Sequence, residues 1–232
     1  MGEMWKLNYS RIAALLLIIT LTSSSLTLCA RGQAGAVVLN PTDDAHTDGN
    51  YPNANHGSES ILKAGGFHDA WLKFDLSSVP ELAIGITATL ELYTTWDGVP
   101  EPWGVVVDSV SSGGNFWSED TITSANAPFE HVDGELDTDY VASNSTWYEW
   151  AVTEAVENAT AQSVSEVTFL LRQPWGLITP HRTFNSKEAG KRIPKLTVSW
   201  EDIIPEFPSF TVLPILMLAA IAVTVAYKKL NG

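Results

Sequence analysis

Apolar and polar residues alternate with a period of two along the middle of the chain. In "AWLKFDL" (70–76), Leu72, Phe74 and Leu76 share one face, and Trp71, Lys73 and Asp75 share the other. "ATLELYT" (88–94) repeats the pattern, with Leu90 and Leu92 inward and Glu91 and Tyr93 outward. "GVVVDSV" (104–110), "VTFLLR" (167–172) and "KLTVSW" (195–200) are rich in β-branched and aromatic residues. Such runs, separated by Gly, Pro, Asn and Ser, predict an antiparallel all-β domain. One stretch, "VTEAVENATAQ" (152–162), reads as a short helix with Thr153 as its cap. Many strands with almost no helix imply two packed sheets, a β-jelly-roll sandwich over residues 36–201. The alternation also puts Trp71 and Trp150 opposite the inward residues, hence on a sheet surface.

The pattern breaks at both ends. Residues 1–30 carry Lys6 and Arg11, an apolar run over 12–21, and then "TSSSLTLCA". A basic start, a short apolar core and a small residue at a cut site predict a secretory signal cleaved after Ala30. Cys29, the single cysteine, offers a lipidated end as the alternative; once it is removed, the chain has no thiol and its stability rests on its core. Residues 210–227 contain no charge and are long enough to span the hydrocarbon of a bilayer. Lys228 and Lys229 follow, placing a short tail over 228–232 in the cytoplasm. The expectation is a single-pass surface protein with its body outside. Residues 202–209 form the linker, and Pro205-Glu206-Phe207 within it resembles the PEF-CTERM sorting signal of archaeal surface proteins. That resemblance implies a helix that a membrane protease removes.

Charge narrows the partners. Between residues 31 and 206 there are 9 basic against 26 acidic side chains, and no Lys or Arg occurs between Lys73 and Arg172. Such a surface repels nucleic acid, which is dropped as a partner. The basic residues gather late, at Arg172, Arg182, Lys187, Lys191, Arg192 and Lys195. They are either a docking place for an anionic sugar or counter-charges for neighbouring acidic strands. The sequons at Asn144 and Asn158 fit an outside location and mark both as glycosylation candidates.

Catalysis needs a nucleophile, a pair of groups with separated pKa values, or a metal. The mature chain has no Cys, no Gly-x-Ser-x-Gly and no His-Glu-x-x-His, and the five histidines show no ligand spacing. The expectation is a non-catalytic protein without a required cofactor. Calcium is the one metal the sequence suggests: "DDAHTDGN" (43–50) sets Asp44, Asp48 and Asn50 on a Gly-containing turn, and Ca²⁺ takes such oxygens. A solvated acidic turn is the plainer reading of the same residues.

Nine tryptophans remain to be placed. "WDGVPEPWG" (96–104) is broken by Pro and Gly and reads as a surface loop. Sugar rings pack their C–H face on an indole while neighbouring acids accept hydroxyl protons. Trp96 and Trp103, with Asp97 and Glu101 between them, are spaced as such a carbohydrate-binding platform. The opposite reading is a plug, in which the loop folds back and its indoles close the end of the sandwich. Trp175, after the strand ending at Arg172, is a second platform candidate.

Five segments then match a known family in order. "DAHTDGNYPNANHGSESILKAGG" (44–66) carries an Asp and a Pro-x-x-Asn-x-Gly turn made by Pro52, Asn55 and Gly57. "LKFDLSSVP" with "ITATLELY", "SSGGNFWSEDTITSANAP", "WYEWAVTEAV" and "RTFNSKEAGKRIPKLTVSW" follow. Over residues 42–200 the chain resembles the DNRLRE domain, also called carbohydrate-binding module family 96. The resemblance implies an extracellular, non-catalytic jelly roll, an accessory to polysaccharide-active or cell-surface proteins. One departure is Trp150-Ala151, where the family carries an Asp. The reading is a membrane-anchored surface module that binds polysaccharide; its rival is a structural or adhesive envelope protein that binds other proteins.

Overall fold

In the computed structural model of the chain, the described residues are 34–81, 83–95, 103–174 and 180–201. Among these residues eleven strands and one α-helix follow in order: β1 (Gly35–Leu39), β2 (Asp43–Asp48), β3 (Ile61–Ala64), β4 (His68–Asp75), β5 (Ile84–Tyr93), β6 (Trp103–Val110), β7 (Val132–Val141), β8 (Trp147–Ala151), α1 (Thr153–Ala161), β9 (Glu166–Arg172), β10 (Arg182–Asn185) and β11 (Lys195–Glu201). β1 pairs with β11, β4 with β9, β5 with β8, and β6 with β7, all antiparallel. These nested pairs are one long hairpin rolled up, which is the jelly roll. Two sheets result, β1-β11-β5-β8 and β2-β4-β9-β6-β7, with β10-β3 as a separate two-stranded ribbon.

The core lies between the sheets and holds Leu72, Phe74, Leu90, Leu92, Val107, Phe169 and Leu196. Trp150 is a member of it, fully buried, with its indole N–H donating to the Val105 carbonyl at 3.0 Å. Trp71 is also fully buried, on the other face of the five-stranded sheet. The expectation that both stand on a sheet surface is therefore corrected, for two different reasons. Trp150 pairs with Leu90 in register, so it shares the face of a core residue. Trp71 does point away from that core, but residues 111–131 cross the sheet there and build a second apolar cluster with Ala45, Val110, Trp117, Ile122 and Leu170.

The cover is held by polar anchors. Lys73, also expected to face outward, is buried; its ammonium pairs with Asp43 at 3.1 Å, donates to the Trp117 carbonyl at 2.6 Å and sits 5.1 Å from the Trp117 ring centre. The Pro-x-x-Asn-x-Gly turn grips the same segment: the Asn55 amide donates to the carbonyls of Glu119 and Ile122 at 2.6 and 2.7 Å. A Cβ on Gly57 would lie 2.0 Å from the Glu119 carbonyl oxygen, so only glycine fits.

α1 matches the predicted helix closely, but Thr153 is its first residue rather than its cap. The Thr153 hydroxyl accepts instead from the Ala88 N–H at 3.0 Å, tying the helix to β5. Among the described residues no helix is long and apolar enough to cross a membrane. The predicted signal (1–30), linker (202–209), spanning segment (210–227) and tail (228–232) lie outside the described residues.

Candidate functional site

Where the outer face of the five-stranded sheet is not covered, it carries a cleft of about 350 Å³. Its floor comes from β4 and β9, with Asp69, Leu170 and Arg172, and its rims from Gly49, Gly66 and Phe67 on one side and Phe129 on the other. Phe67 is 56% exposed and Phe129 40%, so two aromatic rings bound the opening. Phe129 is fixed from below: its ring meets buried Trp71 edge-on at 5.2 Å and 70°.

The polar groups of the cleft are held in place. Arg172 reaches over to the buried Asp108 of β6 and donates to both of its oxygens, with Nη2 to Oδ1 at 2.9 Å, a bidentate fork. Its Nη1 donates to the Gln173 carbonyl at 2.9 Å, and the Gln173 side-chain oxygen accepts from the Gly66 N–H at 3.1 Å. Burial pushes the Asp69 carboxyl up to about 6, although the Arg172 charge pulls the other way. Flat apolar rings beside a few fixed donors and acceptors are what a sugar surface needs from a protein.

A second cleft, of about 360 Å³, lies between the β6–β7 end and α1. Asp133, Glu135, Glu154 and Glu166 line it and none of its lining residues is aromatic. It offers repulsion to anions and no stacking surface.

The sequence-predicted residues fall in several places. Trp96, Asp97, Glu101 and Trp175 lie outside the described residues. Trp103 is the first residue of β6, not part of a turn; it pairs with Val141 and shares the inward face of Val105, half-buried. Trp175 follows Pro174, which lines the aromatic cleft. Asn144 is exposed in the turn between β7 and β8, whereas Asn158 lies on α1 and the Thr160 hydroxyl of its sequon donates to the Val156 carbonyl at 2.8 Å.

The calcium candidates do not converge. Residues 43–48 form a strand, not a turn, so Asp44 and Asp48 stand about 13 Å apart along it. Asp44 is fully buried and accepts from the Lys187 N–H at 2.8 Å, while Asp48 accepts from the Asn50 N–H at 2.8 Å and Asn50 itself is exposed. Asp44 meets Glu119 and Glu188 instead, with Lys187 Nζ lying 2.6 and 3.2 Å from those two glutamates. Burial raises the Asp44 carboxyl to about 8. Three of the late basic residues act as counter-charges: Lys187 pairs with Glu119 and Glu188, Arg172 with Asp108 and Lys195 with Glu91.

A histidine cluster at the β2 edge has no counterpart in the sequence reading. His46 stacks on His56 with ring centres 4.5 Å apart and 15° between planes; His68 lies 5.7 Å from His46, and His181 lies 5.0 Å from His68. Burial, with the Lys63 and His56 charges, lowers His46 to about 3, and burial also lowers His68 and His181. These residues come from β2, the 49–60 segment, β4 and the residue before β10, so no spacing in the sequence marks them.

The nested pairing defines a β-jelly-roll domain with an open, aromatic-walled cleft on one sheet. The chain belongs to carbohydrate-binding module family 96, whose family model matches residues 35–200. No curated protein matches the chain. The matched span covers the whole sandwich, and the family suggests carbohydrate binding by a non-catalytic domain.

Proposed function

We propose that the domain binds a polysaccharide chain in the cleft between Phe67 and Phe129, at the cell surface and without cleaving it. The observation that carries this reading is the pair of exposed rings above a fixed polar floor. A pyranose stacks its C–H face on Phe67 or Phe129, and Asp69, Arg172 and Gln173 address its hydroxyls. Hydrolysis takes two carboxyl groups at the bond to be cut. Asp69 is the single acid among the lining residues, and Asp108 beneath it gives both oxygens to Arg172. Trp175, next in sequence to Pro174, and Trp96 with Asp97 and Glu101 are further sugar-contact candidates from the sequence, whereas the half-buried, inward-facing Trp103 is not. The apolar segment 210–227 tethers the domain outside the membrane, with the Lys228-Lys229 stop inside.

The test is binding of the purified chain to an array of neutral and anionic glycans, repeated with Phe67→Ala. Retention of one glycan class, lost in the variant, is the expected result. No glycan binding, with self-association or capture of an envelope protein, favours the structural or adhesive reading.

A further inference from the structure

The histidine cluster has a property that core packing does not explain. His46 is fully buried, and neither of its ring nitrogens has a hydrogen-bond partner. A neutral imidazole has one donor and one acceptor to satisfy, and leaving such a group unpaired inside a protein is costly, about 1–3 kcal/mol. His56 Nε2 and His68 Nδ1 are buried and unpartnered as well. Three neighbouring imidazoles thus keep unused lone pairs or N–H groups out of water.

Two carboxylates face this group, Asp48 beside His68 and Glu59 beside the other two rings. Glu59 lies 2.6 Å from His56 Nδ1 through one oxygen and 3.8 Å from His46 Nε2 through the other. His46, His56 and Glu59 each bring a ligand atom to within 4.8 Å of the others. Ligand atoms around a tetrahedral zinc ion stand about 3.3 Å apart, given bonds of about 2.0–2.1 Å. Closing that difference takes rotation of the His56 and Glu59 side chains, both only partly buried and on the strand-free stretch 49–60.

We propose that His46, His56 and Glu59 bind a divalent transition-metal ion of the zinc class, with a fourth position left to water. Two imidazoles and one carboxylate suit zinc, copper or nickel; hard oxygen-seeking cations such as calcium and magnesium want a different set. The ion would clamp the 49–60 stretch, which carries Asn55 and Gly57, onto β2. The nearby Lys63 opposes a cation, and Asp48, 3.5 Å from His68 Nε2, favours one.

The test uses the full chain, stripped with a chelator and titrated with zinc chloride by calorimetry, and separately with cobalt to read the visible absorption of a tetrahedral site. One ion per chain is expected, with the cobalt bands, and calcium chloride should not compete. His56→Ala and Glu59→Ala, both on less buried residues, should each weaken zinc binding by more than about tenfold, since even groups outside a ligand set are worth about 10–100-fold. Glu119→Gln, in the separate carboxylate cluster, should leave it unchanged. Absence of zinc uptake up to a Kd of about 1 mM, or uptake that survives His56→Ala and Glu59→Ala, overturns the assignment. Because His46→Ala opens a cavity, it serves only as a confirming variant.

Discussion

Phe129 and the buried Trp71 meet in a T-shaped contact, ring centres 5.2 Å apart, so the wall of the cleft is bolted to the second apolar cluster. Phe67, on the opposite rim, is 56% exposed and packs on no aromatic ring among the described residues. The two rims should therefore respond differently to truncation. Phe67→Ala is expected to weaken ligand binding with a stability change within about 0.5 kcal/mol. Phe129→Ala should lose binding and also about 0.5–1.5 kcal/mol of aromatic pairing. Thermal melts beside binding titrations check the split; equal melts for both variants would contradict it.

Lys73 fastens residues 111–131 to the sheet through Asp43 and the Trp117 carbonyl. Lys73→Met leaves Asp43 and that carbonyl without their cation. The expected cost is about 3–5 kcal/mol, the usual result of breaking a buried pair from one side. Denaturant unfolding measures it directly.

Gly57→Ala places a methyl 2.0 Å from the Glu119 carbonyl oxygen, against backbone that cannot rotate away. Overpacking of this kind costs about 1–3 kcal/mol. Since the same turn feeds Asn55 into that segment, the melting temperature should fall for Asn55→Ala as well.

Asp69 keeps its proton in the folded domain up to about pH 6, whereas its ordinary value is 3.8. Between those values the folded state binds more protons than the unfolded one, so this group's contribution to stability falls as pH rises through the window. Asp69→Asn does not titrate. Relative to the native chain it should gain about 1–2 kcal/mol between pH 4 and pH 6, after allowing for the residue's partial exposure. A constant difference between the two chains across that range would show that Asp69 ionises normally.

Much of the sandwich was legible because its strands alternate strongly. Leu72 and Phe74, or Leu90 and Leu92, repeat every second residue and pack into the core as that pattern demands. The same rule misplaced Trp71 and Lys73, since alternation reports which face a residue takes and not whether another segment covers that face. β2 escaped notice for a different reason. Its inward residues, Asp44, His46 and Asp48, are polar and end up buried, so "DDAHTD" looks like a turn until β4 and β3 are placed beside it. The cleft and the histidine cluster are products of tertiary assembly: Phe67, Phe129 and Arg172 are far apart in the chain and come together through pairing of β4, β9 and β6.

The aromatic cleft as a polysaccharide site is tested most directly by titrating the purified chain with the glycan that the array selects, native against Phe67→Ala. The native chain should saturate. Phe67→Ala should bind more weakly by roughly 1–3 kcal/mol, the range of aromatic stacking on a flat ring system, with its melting temperature unchanged. Equal affinity in the two chains would place the sugar elsewhere and contradict the account.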